Sequence, residues 1–230
     1  VLAVSEDVAG GRYANRLSDA SAEALAAQAK ELKSLAERFA AIKRANLTGQ
    51  DAVSHDVAVA ALAATNEGNS FGYGNYGLVG APTPYVVSQL TGAYQYVPDF
   101  LDSQHPMKTA RDAEDYLARL EAFATVLDQE TARIGADAAK KVIPPTFIID
   151  RTLEQLRPLA NGPAPSLTLV RSIQRRAPEA EGVTPVMAAD FTRRAIDIVR
   201  DKVQPALRRQ ITAVEALRAQ STNDAGVWKL

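Results

Sequence analysis

The stretch TARDAEDYLARLEAFATVLDQETARIGADAAKK, residues 109–141, decides the fold class. Tyr116, Leu117, Leu120, Phe123, Leu127 and Ile134 recur at helical spacing and make one apolar stripe, while most acids and bases fall off it. Thr109 and Asp112 stand three apart, as a capping box requires, and Lys140 and Lys141 suit the negative end of the helix dipole. The segment therefore predicts one long helix.

The same period extends outward. Leu25, Leu32, Leu35, Phe39 and Ile42 mark a helix over about 21–45, with Ser18, Asp19 and Ser21 as candidate N-caps. Val53, Val57, Ala60, Ala61 and Ala64 share a face of a second helix over about 51–65, whose small residues would let a neighbour come close. Further helices are predicted over 85–96, with a short one starting at Pro98; then from Phe147 to just before Pro158, over 166–176, and over 185–220. Pro205 should kink the last of these. No period-2 segment is long enough for a sheet. The predicted fold is all-α, an irregular multi-helix array forming a single helical segment over 1–230, with at least six helices.

Composition agrees. Alanine is the commonest residue and aromatics are only 6%, which favours helix over strand. No cysteine is present, which excludes disulfides, thiolate metal sites and a cysteine nucleophile. Lys+Arg is 26 against Asp+Glu 27, so no global positive field recruits nucleic acid. No apolar run approaches the ~20 residues of a membrane span. The chain begins at Val1 and closes on Val227-Trp228-Lys229-Leu230, which reads as the start of a further apolar segment.

Chemistry is sparse. Gly72-x-Gly74-x-x-Gly77 has the letters of a dinucleotide loop but lacks the preceding strand and the following helix N-terminus that the motif needs. His55 and His105 belong to no metal-spaced motif, so no cofactor or metal is expected in this chain. Asn46-Leu47-Thr48 is a glycosylation sequon that matters only in a secretory eukaryotic setting. The one long irregular stretch is 68–84, and a loop of this length inside a compact domain is often functional. Tyr73, Asn75 and Tyr76 on it, with Ser88, Gln89 and Tyr94 after it, are candidate substrate-cleft residues. Tyrosine offers rigid area plus a hydroxyl, and glutamine offers two-way hydrogen bonding to a peptide-like ligand. The competing reading makes Tyr85 and Tyr94 core residues and has Ser88 and Gln89 tie down the loop.

Pro84-Tyr85-Val86-Val87-Ser88-Gln89-Leu90-Thr91-Gly92-Ala93-Tyr94-Gln95-Tyr96-Val97-Pro98-Asp99-Phe100-Leu101 is too particular for generic helix. So are Asp112-Ala113-Glu114-Asp115-Tyr116-Leu117-Ala118-Arg119-Leu120 and Val142-Ile143-Pro144-Pro145-x-Phe147-Ile148. With Arg16-Leu17-Ser18-Asp19 and Asn223-Asp224-Ala225-Gly226-Val227-Trp228, these blocks resemble the N-terminal half of the bacterial domain of unknown function 885 family. That resemblance implies an all-helical fold distantly similar to helical gluzincin zinc peptidases, and export to the periplasm or outside the cell, with the signal segment not in this chain. It also implies a catalytic zinc block in a C-terminal half that this sequence lacks, so no catalytic or metal residue is carried over. The implied role is the N-terminal cleft wall and scaffold of a peptide-bond hydrolase. Its partners would be a peptide substrate and its own C-terminal half, with zinc in the complete parent; a non-catalytic helical interaction module is the alternative. The stripes of the long helices ending near 141 and 220 are expected to need that half as cover.

Overall fold

The computed structural model describes residues 12–77 and 82–226. Val1 and the Val227–Leu230 segment, on which the sequence reading of the two ends rests, lie outside the described residues. Eight α-helices occur among the described residues: α1 (Ala22–Ala40), α2 (Gly49–Ser70), α3 (Ala93–Ser103), α4 (Ala110–Ala139), α5 (Thr146–Asn161), α6 (Thr168–Arg176), α7 (Pro185–Ile198) and α8 (Gln204–Leu217). The extended pairings there are isolated bridges, Asn75 with Thr83, Ser88 with Thr91 and Thr109 with Glu181. The all-α expectation holds.

The core forms where α4, α5 and α8 pack together, with α3, α6 and α7 closing it. Tyr116, Leu120 and Leu127 of α4 and Leu207 and Val203 of the last helical run are buried to 1% exposure or less. The stripes expected to need outside cover instead cover each other: Phe123 and Ile134 on α4 and Ile211, Val214 and Leu217 on α8 are all buried. Thr109 caps α4 as predicted. Its hydroxyl takes the Asp112 N–H while the Asp112 carboxylate takes the Thr109 N–H at 2.8 Å.

The exposed apolar residues lie elsewhere. α1 and α2 form a hairpin packed chiefly on itself. Leu32, Ala52 and Leu62 line its seam, while Val53 and Val57 of the small-residue face stay 53% and 62% exposed. Residues 13–20 leave the hairpin and run along α4. Arg119 holds the carbonyls of Tyr13 and Arg16, and Gln129 holds the Ala20 N–H and the Asp19 carboxylate. These anchors are about 15 Å apart at helical rise.

Several boundaries differ from the sequence reading. α2 runs on to Ser70, and α1 stops at Ala40, with a separate 3-10 turn at Arg44–Asn46. Residues 85–92 are turns rather than helix, because Ser88 and Thr91 bridge and Gly92 takes φ 116°. Helix starts only at Ala93, so Pro98 lies inside α3 instead of opening a new helix. α5 likewise continues through Pro158 into its last turn. The long final helix breaks at a π turn, Val199–Val203, just before Pro205.

Candidate functional site

The inner stripe of α4 carries polar residues where apolar ones would continue it. After Phe123 and Leu127 come Glu130, Arg133 and Asp137, and the long loop is built on them. The Asp137 carboxylate accepts the Gly74 N–H at 3.1 Å, and Arg133 Nη2 donates to the Gly74 carbonyl at 2.6 Å and to Asn75 Oδ1 at 2.7 Å. Asn75 and Thr83 exchange backbone hydrogen bonds at 2.9 and 3.1 Å, and Lys140 Nζ donates to the Gly72 carbonyl. Gly74 has φ 69°, and a Cβ there would press on the Thr83 carbonyl oxygen, so the loop needs glycine at that point.

Three aromatic rings cluster on this loop. Phe71 stacks on Tyr73 with centroids 5.9 Å apart, and Tyr76 meets both edge-on at 5.6 and 6.4 Å. Tyr76 also lies over Gly68 of α2, where an added Cβ would meet its ring at 2.5 Å. Burial, and then Tyr73 beside it, raise the Tyr76 phenol above its ordinary pKa.

The second half of the loop turns on Ser88. Its hydroxyl pairs with that of Thr91 at 2.9 Å and accepts the Leu90 N–H. The Tyr94 hydroxyl lies 2.7 Å from both the Ser88 carbonyl and Gln155 Oε1, and donates its single hydrogen to one of them. Gln95 Nε2 donates to Gln155 Oε1 at 2.8 Å and to the Gln89 carbonyl. Gly92 has no side chain to cap α3. The buried Glu130 carboxylate does so from α4, taking the Ala93 N–H at 2.9 and 3.1 Å with its two oxygens. Gln210 on α8 adds a 3.3 Å bond to it. Burial outweighs these bonds and pushes the Glu130 carboxyl up to about 7.

The six candidate residues therefore fall into two groups on one support. Tyr73, Asn75 and Tyr76 are partly exposed on the first limb, as is Gln89 on the second. Ser88 and Tyr94 are 6% and 2% exposed, with their polar atoms used in holding the turn. Glu130, Arg133 and Asp137 escaped the sequence reading. Their signal was charge at the spacing of a buried stripe. Beneath the loop, Val86, Ile134, Asp137, Val142, Thr152 and Leu217 border a cavity of about 20 Å³, room for one water.

The histidines do not meet. His55 Nε2 lies 3.1 Å from the Phe39 carbonyl, and its Nδ1 lies 3.4 Å from Asp56. His105 is buried, with Nε2 2.9 Å from the Asp112 carbonyl and Nδ1 2.7 Å from Arg119. No three His, Asp or Glu side chains among the described residues come together to hold a metal ion. The described residues thus do not bring together the three protein ligands and open position that a catalytic zinc needs.

Comparison with known proteins places the chain. The family described as bacterial protein of unknown function (DUF885) matches residues 5–227. No curated protein matches. A crystal structure described as a "putative lipoprotein" from Colwellia psychrerythraea shares the fold at 20% identity and a TM-score of 0.89. The similarity covers 99% of this chain and 39% of that one, so the chain spans well under half the length of that relative.

Proposed function

Because this chain belongs to the bacterial family of unknown function DUF885, we propose that it supplies the helical wall and scaffold of a larger, exported hydrolase acting on peptide bonds. One observation carries the reading: the whole helical array recurs as 39% of a longer protein. A fold used that way works with other chain. The loop over α4 suits a wall, since Arg133 and Asp137 fix its backbone while Tyr73, Asn75, Tyr76 and Gln89 keep some surface. Tyrosine and amide side chains on a fixed backbone bind an extended peptide at small entropic cost.

Zinc belongs to this reading only as a group held by residues outside this chain. Export is supported by the description of the solved relative as a "putative lipoprotein". No helix among the described residues is long and apolar enough to cross a membrane.

The test is peptide turnover by the complete protein carrying Tyr76→Ala or Gln89→Ala. A several-fold rise in KM with helical circular dichroism unchanged is expected. Unchanged kinetics in both variants removes the wall assignment.

A second reading, a helical interaction module without chemistry, draws on the exposed Val53 and Val57 of α2. Val53→Ser with Val57→Ser should then weaken association with a partner while leaving helical circular dichroism unchanged.

A further inference from the structure

Arg133 has acids placed for pairing on its own helix, Glu130 three residues before and Asp137 four residues after. It bonds to neither. Glu130 is turned to the Ala93 N–H and Asp137 to the Gly74 N–H. Both hydrogen bonds that Arg133 makes among the described residues leave from Nη2, to Gly74 and Asn75. Its Nε and Nη1 have no acceptor among those residues, and neither is sealed from solvent. A guanidinium fixed on one side and free on the other is a preorganised donor.

The surroundings select its ligand. Tyr96 of α3 is 42% exposed and close enough to feel the charges of both Glu130 and Arg133. Phe71 and Tyr73 on the loop that Arg133 anchors provide exposed and half-exposed ring surface. Glu130 and Asp137 stand close enough to act on the Arg133 charge, so each further negative charge on a ligand adds repulsion, which favours a singly charged carboxylate over a dianion.

We infer that Arg133 is an anion seat that takes the carboxylate of a peptide ligand through its free Nε–H and Nη1–H groups, with Tyr96 beside it. This rests on the reading of the loop as a peptide-facing wall and specifies which end of the peptide it meets. Arg133 would then be a binding residue as well as an anchor of the loop.

The experiment follows the arginine Nε–H resonances of the 230-residue chain by ¹⁵N–¹H spectroscopy. The probes are acetyl-dialanine as the free acid, the same peptide as its amide, acetate, and inorganic phosphate. Arg133→Lys identifies the peak and keeps a positive charge near the loop. The expected result is a saturable shift of the Arg133 peak with the free acid, in the roughly millimolar range of a small, partly exposed contact. The amide leaves it in place, and in Arg133→Lys, read at the Tyr73 and Tyr76 rings, the acid binds at least about tenfold more weakly. An unmoved Arg133 peak, an equal response to acid and amide, or a response to phosphate alone overturns the seat. Shifts of the Tyr73 and Tyr76 rings by both peptides with Arg133 unmoved would leave the wall reading standing while the seat fails. An Arg133 response to acetate and free acid, with both rings unmoved, would keep the seat and remove the wall. The wild-type readings do not depend on how the variant folds.

Discussion

Nη1 of Arg119 lies 2.7 Å from Nδ1 of His105, inside the core. A cation that close fixes the imidazole as neutral, with Nδ1 accepting and Nε2–H donating to the Asp112 carbonyl at 2.9 Å. Arg176 donates to the His105 carbonyl, and the Tyr116 ring meets the imidazole edge-on. Burial first, and then Arg119 and Arg176, pull the imidazole down to about 4. His105 therefore belongs to the fold: it joins the end of α3 to the start of α4.

The sign of its pH dependence follows. Between about 6.5 and about 4 the unfolded chain binds the His105 proton and the folded chain does not, so stability falls on acidification, by about 3 kcal/mol in all. Glu130 acts oppositely. Its carboxyl, raised from 4.5 to about 7, is protonated in the folded state first, so its contribution is present below 4.5 and is lost as pH rises to 7. The two offset each other between pH 4.5 and 6.5. Glu130→Gln should expose the histidine slope, becoming less stable than the parent on acidification by an increment that grows toward about 3 kcal/mol. Urea midpoints at pH 4.5, 5.5, 6.5 and 7.5 measure it, and a difference that is constant with pH sinks the assignment.

Two glycines with left-handed φ separate crowding from strain. Gly74 (φ 69°) and Gly182 (φ 75°) carry the same conformational penalty for a side chain. A Cβ at Gly182 meets nothing within 4 Å, whereas one at Gly74 runs into backbone at Thr83 and Pro84. Gly182→Ala should cost about 1 kcal/mol. Gly74→Ala should cost clearly more, about 2–3 kcal/mol, and should loosen Asn75 from Arg133. Thermal midpoints of the pair test this; equal losses would mean that the loop gives way freely.

The helices were legible because their apolar residues are dense and periodic. The α4 stripe from Tyr116 to Ile134 is buried as its spacing implies, and the Thr109–Asp112 cap is formed. Residues 85–92 misled because Tyr85, Val86 and Val87 are apolar and buried without being helical. What decides the matter there is a glycine at φ 116° and a cap in which Glu130, 37 residues away, accepts the Ala93 N–H, which no local pattern can carry. Pro98 and Pro158 also fell within helices, because tertiary packing outweighed their local preference. The loop that carries the candidate residues was legible from its glycine and tyrosine content. Its support was not, since Arg133 and Asp137 look like ordinary surface charges until the fold brings Gly74 onto them.

The π turn at Val199–Val203 answers a register requirement. Glu114, Glu121 and Asp128 of α4, seven residues apart, pair with Arg194, Lys202 and Arg209, which are eight and then seven apart. The extra residue falls in the interval containing the π turn, so it keeps α7 and α8 in phase with α4 along one continuous run. It also keeps Phe191, Ala195 and Val199 facing inward on one side of the turn and Val203, Leu207 and Ile211 on the other. Exposed ion pairs contribute little individually, so the apolar phase is the stronger constraint. Deleting the exposed Arg200 would permit ideal α-helix but rotate one segment by about 100° against the other. The expected cost is about 3 kcal/mol or more, the scale of losing a large core side chain, whereas Glu121→Gln should cost less than about 1 kcal/mol. Chemical denaturation of the two variants distinguishes them. A deletion variant as stable as the parent would show that the π turn is an accident of Pro205 and not a phase correction.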